Sequence, residues 1–248
     1  MMPLDPSRLG FSWPNARGLA DASARAYVSP SITNANTSAS AMVEDRGDCI
    51  VVAFKGSKEP KDFEQDAEFW FADLVHEADG TVAQVHHGAL ADWESIEQQV
   101  TFAVKSYLTP ATKPIFITGH SLGGMLAILC ALEFERNNLP VAAVYTFGCP
   151  RVGNGIFSAI YNFNLGDKTF CVVNQNDIVP RTPPLLMGYR RVGQKVFLPA
   201  GSGWSVNPPL WTLLLSDALG LWSAYRNKCD VLITEHFIAA YQLRISLL

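Results

Sequence analysis

Two patterns of apolar residues alternate along this chain. Short runs rich in β-branched residues, typical of buried strands, occupy residues 49–54, 114–118, 141–147 and 169–173. Helical spacing of apolar residues recurs between and beyond them, at residues 15–27, 88–107, 122–136 and 234–247. Strands that alternate with helices predict an α/β fold whose mostly parallel central sheet is covered by helices on both faces.

The segment from residue 184 to 226 is less regular. Residues 189–198 predict a strand or hairpin, whereas residues 208–222 are helix-like and strongly apolar. The apolar stretch is either part of the core or a border of an active-site mouth. The chain has 248 residues, 48% of them hydrophobic and 17% charged, which is enough apolar material for one sizeable core. We therefore expect a single domain over residues 1–248.

Charge and targeting signals narrow the possible partners and location. The formal net charge is −4 and the lysines and arginines are scattered, so neither nucleic acid nor an anionic membrane is an expected partner. No apolar stretch is long enough to span a bilayer, and the N-terminal residues contain no continuous apolar segment behind a basic start. These features predict a cytoplasmic protein, with export by another route left open; the oligomeric state is left open as well.

The cysteines and histidines show no metal-site spacing. Five cysteines form an odd count without a zinc or CxxC pattern, so buried free thiols are expected rather than a disulfide framework. We expect no metal or organic cofactor.

Residues 119–123 (GHSLG) match the G-x-S-x-G nucleophile elbow. This chemistry requires a serine on a sharp turn between a strand and a helix, where the hydroxyl stands above the sheet edge and the helix N-terminus faces a developing oxyanion. A predicted strand ends at Thr118 and a predicted helix starts at Leu122, as the motif demands. Ser121 is therefore the candidate nucleophile of an α/β-hydrolase.

Chain order narrows the search for the base and the acid, because the triad of this fold runs Ser, then Asp or Glu, then His. His236 is the only histidine after Ser121, which makes it the candidate general base. Asp177 follows a predicted strand at its carboxyl end, where open α/β sheets place functional residues, and it is the preferred acid. Asp230 is the chief rival, and the other carboxylates in the interval are Glu133, Glu135, Asp167, Asp217 and Glu235.

Five stretches stand in an order typical of one family. They are Phe54-Lys55-Gly56-Ser57, Val85-His86-His87-Gly88, and the blocks at 119–124 (GHSLGG), 145–154 (YTFGCPRVGN) and 176–181 (NDIVPR). On these stretches and His236, the chain resembles the class 3 lipase family of fungal triacylglycerol lipases, feruloyl esterases and bacterial relatives. Three features depart from the family pattern, namely Cys149, Glu235 directly before the histidine, and the unmatched segment 183–228.

The resemblance implies an oxyanion hole built from the backbone N–H groups of Leu122 and Ser57, assisted by the Ser57 hydroxyl. It also implies a lid at about residues 57–74, whose first half is densely charged and whose second half offers Phe69, Trp70, Phe71 and Leu74. A helix there would cover an apolar slot and show its apolar face to a lipid surface. The alternative is that these aromatic side chains pack against the body of the protein.

The resemblance and the candidate triad together predict a carboxylic ester hydrolase, a lipase or esterase that works through an acyl-enzyme. The polar first half of the lid favours small or moderately soluble esters over long-chain lipids at a lipid–water interface. A phospholipase or a feruloyl-type esterase is the alternative within hydrolysis, and proteases and thioesterases use the same machinery. A non-catalytic binding module is disfavoured because no member of the triad is missing.

Overall fold

The computed structural model describes residues 2–8, 10–57, 70–76, 80–108, 112–174, 177–199, 203–209 and 234–248. Within them the helices are α1 (Trp13–Val28), α2 (His87–Leu108), α3 (Leu122–Arg136), α4 (Gly155–Leu165) and α5 (Ile238–Ser246). The strands are β1 (Ile32–Thr33), β2 (Ser40–Asp45), β3 (Ile50–Phe54), β4 (Phe71–His76), β5 (Val82–His86), β6 (Ile115–His120), β7 (Val141–Phe147), β8 (Thr169–Asn174), β9 (Gln194–Leu198) and β10 (Ser205–Val206). Short 3₁₀ turns cover Gly166–Lys168, Val179–Arg181 and Leu185–Met187.

Eight of the described strands form one large sheet in the order β1-β2-β3-β6-β7-β8-β9-β10. The five central strands, β3, β6, β7, β8 and β9, are parallel to one another, and the strands outside them at both ends pair antiparallel. Helices cover the central strands, as expected of parallel strands that are buried on both faces. The predicted fold class is confirmed.

Strand β3 shows how the sheet separates two apolar cores. Ile50, Val52 and Phe54 point into the core under α2, α3 and α4, whereas Val51 and Ala53 point into the core under α1 and α5. This alternation follows from the two-residue period of a strand. Because α1 and α5 pack against each other on one face, the N-terminal helix and the segment that follows His236 are held together.

Most predicted elements lie where the pattern placed them, with two corrections. The predicted terminal helix at 234–247 begins only at Ile238, because residues 235–237 form a turn that carries His236. The predicted lid helix is wrong for the part that the structure describes, since Phe71 and Leu74 belong to strand β4. Strand β4 pairs with β5 in a separate two-stranded sheet. Residues 58–69 and 210–233, which carry the rest of the lid prediction and most of the apolar stretch, lie outside the described residues.

Over the described ranges, no helix combines the length and apolar character that crossing a bilayer requires. The described cysteines, Cys49, Cys130, Cys149 and Cys171, are buried free thiols as expected.

Candidate active site

Ser121 occupies a strained backbone conformation between β6 and α3, with φ 56° and ψ −129°. Such a conformation costs a non-glycine residue about 1–3 kcal/mol and persists only where its surroundings enforce it. The enforcement comes from a close crossing of strand and helix, because a Cβ added to Gly119 would lie 2.0 Å from the Gly123 carbonyl oxygen. The Ser121 N–H also donates to the Phe147 carbonyl at the end of β7. The sequence thus builds the sharp turn that the G-x-S-x-G pattern predicts.

Three buried side chains from distant parts of the chain meet at this turn. Ser121 Oγ lies 2.9 Å from His236 Nε2, and His236 Nδ1 lies 2.8 Å from Asp177 Oδ2. A carboxylate accepts only, so the neutral imidazole carries its proton on Nδ1, and Nε2 accepts from the serine hydroxyl. This arrangement places His236 Nε2 beside the Ser121 hydroxyl as a proton acceptor, and the carboxylate of Asp177 on the opposite side of the imidazole ring.

The carboxylate of Asp177 is held from several sides. Its Oδ1 accepts from the Val179 N–H at 2.9 Å, and its Oδ2 accepts a second bond from the Tyr241 hydroxyl at 2.6 Å. Burial, and then the charge of Asp177, raise the pKa of Tyr241 well above its usual value, which keeps this phenol protonated and donating. Tyr241 could not be found from the sequence, because its only signal there is a position five residues after His236.

Gly148, which directly follows β7, lies against the Asp177–His236 pair. Its φ of 62° lies in the left-handed region, and a Cβ there would stand 2.9 Å from Asp177 Oδ2 and 3.0 Å from His236 Nδ1. Glycine is therefore required both by the backbone conformation and by the space that the two catalytic candidates occupy.

His120 contacts the histidine rather than the serine. Its Nε2 lies 2.6 Å from the His236 carbonyl oxygen, and its Nδ1 lies 2.8 Å from the Tyr27 hydroxyl. Burial lowers the pKa of His120 to about 3, with a further contribution from His236, so the ring is neutral over the physiological range. The contact could not be predicted from the sequence, because His120 and His236 are separated by 116 residues.

The loop that follows β3 lies directly against the elbow. A Cβ added to Gly56 would lie 3.1 Å from Ser121 Cβ, and one added to Gly123 would lie 2.4 Å from the Phe54 carbonyl oxygen. Ser57, the next residue, is half-buried beside this contact. Leu122 is the first residue of α3, where a backbone N–H has no acceptor within the helix. Both predicted oxyanion-hole residues therefore lie next to the serine.

The other carboxylate candidates do not reach His236 in the described parts of the chain. Glu133 and Glu135 lie in the last turn of α3, far along the helix from the elbow, and Asp167 lies in a 3₁₀ turn before β8. Asp217 and Asp230 fall outside the described residues, as does Phe69. Within the described ranges, no group of three His, Cys, Asp or Glu side chains is placed to hold a metal ion.

The model of the family described as Lipase (class 3) matches residues 51–187, more than half of the chain. The chain belongs to the class 3 lipase family. Among characterised class 3 relatives, it is 32% identical over 189 residues to a lipase of Rhizomucor miehei, covering 69% of this chain and 48% of the relative. It is 31% identical over 147 residues to a secreted mono- and diacylglycerol lipase of Malassezia globosa, covering 56% of this chain and 48% of the relative. The chain thus spans about half the length of these two relatives.

Solved class 3 lipase structures share this fold. The lipase of Rhizopus microsporus var. chinensis superposes with a TM-score of 0.68 at 23% identity, over 83% of this chain and 81% of that one. The α/β-hydrolase assignment rests on this likeness together with the sheet order.

The relatives overturn one prediction. The expected cytoplasmic location is contradicted, because the Malassezia globosa lipase and several other class 3 relatives are named as secreted proteins.

Proposed function

We propose that this class 3 family member is a lipase, a serine hydrolase that cleaves carboxylic esters of lipids through an acyl-enzyme. The observation that carries this proposal is the buried chain of contacts Ser121–His236–Asp177 on a strained nucleophile turn, with distances of 2.9 Å and 2.8 Å. Such a constellation is recognised by its geometry and the roles of its groups rather than by the fold alone.

The geometry supports a defined proton path. Ser121 Oγ attacks the ester carbonyl carbon while His236 Nε2 takes the hydroxyl proton. The tetrahedral intermediate collapses, and His236 returns this proton to the departing alkoxide, so that an alcohol leaves and an acyl-serine remains. Water then attacks the acyl-serine with His236 again as base, and the carboxylic acid leaves. Asp177 holds the imidazole in the required tautomer and stabilises the imidazolium formed in each half-reaction.

The oxyanion of each tetrahedral intermediate would bind to the backbone N–H of Leu122 and to the N–H and hydroxyl of Ser57. Two observations support this assignment, namely the helix N-terminus that directly follows Ser121 and the contact of the Gly56 backbone with the serine. A single donor of this kind is typically worth about 2.7–4 kcal/mol of transition-state stabilisation.

Acylglycerols are the proposed substrates, and the proposed site of action is extracellular. The names of the class 3 relatives support both parts, because they include secreted mono- and diacylglycerol lipases. A fatty acid and a partial glyceride or glycerol would be the products.

An exposed apolar surface supports work at a lipid–water interface. Trp70, Leu185, Leu186 and Met187 are all exposed large apolar side chains. They belong to one region, because the Tyr189 hydroxyl donates to the Trp70 carbonyl and the Tyr189 ring stacks on Phe71 with centroids 4.2 Å apart. These four residues, Trp70 and Leu185–Met187, are called the apolar rim. An apolar surface of this kind gains free energy when it leaves water for the acyl-chain boundary of a lipid layer.

The lid prediction at about residues 57–74 stays a proposal. Phe71 and Leu74 are half-buried in β4 and Trp70 precedes that strand, whereas residues 58–69 lie outside the described residues. The assignment of one α/β-hydrolase domain over residues 1–248 is likewise a proposal.

Hydrolysis of p-nitrophenyl esters from acetate to palmitate, with Ser121→Ala beside the wild type, tests the proposed activity. We expect turnover by the wild type and a loss of several orders of magnitude in the variant. A parallel series of mono-, di- and triolein, a phospholipid and a feruloyl ester assigns the substrate class. Preference for the phospholipid or the feruloyl ester would replace the acylglycerol assignment. Equal activity of the two proteins, or none from either, would refute the triad.

A further inference from the structure

A line of contacts runs beside the candidate triad, from the loop that follows β3 to the turn that carries His236. The Gly56 backbone packs against the Tyr27 phenol oxygen, the Tyr27 hydroxyl lies 2.8 Å from His120 Nδ1, and His120 Nε2 lies 2.6 Å from the His236 carbonyl oxygen. The four residues come from the loop after β3, from α1, from the end of β6 and from the turn before α5.

The chemistry of the groups fixes the direction of every bond. A carbonyl oxygen only accepts, so His120 must carry its proton on Nε2. The ring is neutral, so Nδ1 has a lone pair and accepts from the Tyr27 O–H. Both bonds therefore point the same way, from the Tyr27 O–H to the His236 C=O, and hydrogen bonds aligned in this way polarise and strengthen one another.

We propose that Tyr27 and His120 form a positioning relay that fixes the oxyanion loop and the catalytic histidine relative to each other. The proposal rests on the ester-hydrolase function proposed above. Neither side chain is assigned a contact with substrate or reacting atoms, so both are positioning residues.

The packing around the relay shows why it transmits position. The Gly56 backbone has no free space, because an added Cβ would lie 2.4 Å from the Tyr27 oxygen and 2.5 Å from the His120 carbonyl oxygen. The rings of His120 and His236 are adjacent, with centroids 4.7 Å apart. A shift of the Tyr27 oxygen therefore displaces Gly56, the residue before Ser57, and, through His120, the carbonyl group of His236. Catalytic geometry is sensitive to displacements of this size, since 1 Å can cost about a hundredfold in rate.

The first experiment is a double-mutant cycle on p-nitrophenyl butyrate hydrolysis with Tyr27→Phe, His120→Leu and the double variant. We expect Tyr27→Phe to lower kcat about tenfold with KM nearly unchanged, because binding of a short ester does not depend on the relay. Tyr27→Phe should then cost little further activity in the His120→Leu background, because the relay is already broken. Independent losses that simply multiply in the double variant would overturn the proposal.

Two further variants separate positioning from general stability. Tyr161→Phe is the matched control, since it removes a buried phenol oxygen, which lies 2.9 Å from Thr169 Oγ1, outside the candidate site. It should lower the melting temperature and leave kcat unchanged, and a loss of kcat equal to that of Tyr27→Phe would overturn the relay. His120→Gln keeps an N–H group to offer the His236 carbonyl and should recover part of the kcat lost in His120→Leu. Equal activity of the glutamine and leucine variants would also count against it.

A measurement without turnover distinguishes failure of the relay from failure of the proposed function. Nitrogen-15 spectra of the histidine rings should show His120 protonated on Nε2 alone, with a slowly exchanging proton. Tyr27→Phe should shift the ring resonances of His236 as well as the Gly56 amide, and Tyr161→Phe should shift neither. The opposite His120 tautomer, or an unchanged His236 ring, would overturn the relay even in an active enzyme. Absence of ester hydrolysis by the wild type would refute only the proposed function.

Discussion

The phenol oxygen of Tyr241 lies 2.6 Å from Oδ2 of Asp177. The same carboxylate oxygen accepts from His236 Nδ1, and the carboxylate is fully buried. A buried carboxylate is costly unless donors satisfy it, so Tyr241 supplies part of the stabilisation that lets this residue stay charged beneath the histidine.

Tyr241→Phe removes this donor and leaves the volume of the side chain nearly unchanged. We expect kcat/KM for p-nitrophenyl butyrate to fall about tenfold and the free energy of unfolding to fall by about 1–3 kcal/mol. Tyr145→Phe, which removes the hydroxyl of a buried tyrosine that accepts from the Ser12 N–H, is the control and should leave kcat/KM unchanged. An unchanged kcat/KM in Tyr241→Phe would contradict the assigned role.

Gly148→Ala tests whether the space beneath the Asp–His pair is needed. The new methyl group would lie 2.9–3.0 Å from Asp177 and His236, so we expect kcat to fall on the order of a hundredfold. Gly193→Ala is the matched control, because Gly193 also has positive φ, 66°, and its crowding falls on Thr169 instead. Both variants should lose stability, by about 1–3 kcal/mol, when unfolded in urea. Equal kcat values for the two variants would show that crowding of the pair does not matter.

Asp177→Asn changes the tautomer of the base. The asparagine amide would face His236 Nδ1 as a donor, so Nδ1 must accept and the imidazole proton moves to Nε2. A protonated Nε2 can no longer accept from the Ser121 hydroxyl. We expect kcat to fall on the order of 10⁴-fold, as for the equivalent change in other triads. Asp167→Asn, in the 3₁₀ turn before β8, should retain full activity. Active-site titration with a fluorophosphonate would report the same loss as a slower labelling rate, and undiminished labelling would exclude Asp177 as the acid.

Chain order and local pattern were sufficient to find Ser121 and His236, but they only ranked the acid. The elbow is a local feature and His236 is the only histidine after it, whereas the same rule left Asp177 preferred over Asp230. The same local signals predicted strands β3, β6, β7 and β8 to within a few residues.

The supporting residues depend on contacts that no local pattern records. Tyr27 and His120 are separated by 93 residues, and Tyr241 and Asp177 by 64. Tyr27 looks like any residue of an amphipathic helix until α1 packs against the end of β6. The start of α5 was misplaced for a related reason, because residues 235–237 are diverted from helix geometry to place the His236 carbonyl on His120.

Acid should destabilise this protein through its buried histidines. Burial, and to a smaller extent the neighbouring His87, lower the pKa of His86 from 6.5 to about 4. In the unfolded chain His86 is therefore protonated near pH 6.5, whereas in the folded protein it is protonated only near pH 4. The free energy of unfolding consequently falls as the pH falls from 6.5 to about 4. His120 acts in the same direction.

Urea unfolding at pH 7 and pH 4.5 measures this effect. For His86 alone we expect a loss of about 2 kcal/mol between the two pH values. His86→Gln should reduce the wild-type loss by that amount, whatever its stability at pH 7. Identical losses in the two proteins would show that His86 does not titrate between these limits.

Leu186→Ser tests the apolar rim. Leu186 is fully exposed, so the substitution should leave the fold and the hydrolysis of soluble p-nitrophenyl butyrate unchanged. Hydrolysis of emulsified triolein should fall several-fold, because the rim loses apolar area that would enter the lipid layer. Phe102→Ser on α2, another exposed apolar side chain, is the control and should affect neither assay. Equal losses on the emulsion for both variants would remove the rim from the proposed docking surface.

The wide separation of Ser121 and His236 along the chain has a consequence for synthesis and degradation. The two residues are 115 positions apart, and α5, which follows the turn that carries His236, packs against α1. A nascent chain that has emerged only as far as the elbow, or a fragment cleaved between the two residues, contains the candidate nucleophile without its base. The proposed hydrolytic activity would therefore arise only after the chain has been synthesised past His236 and has folded.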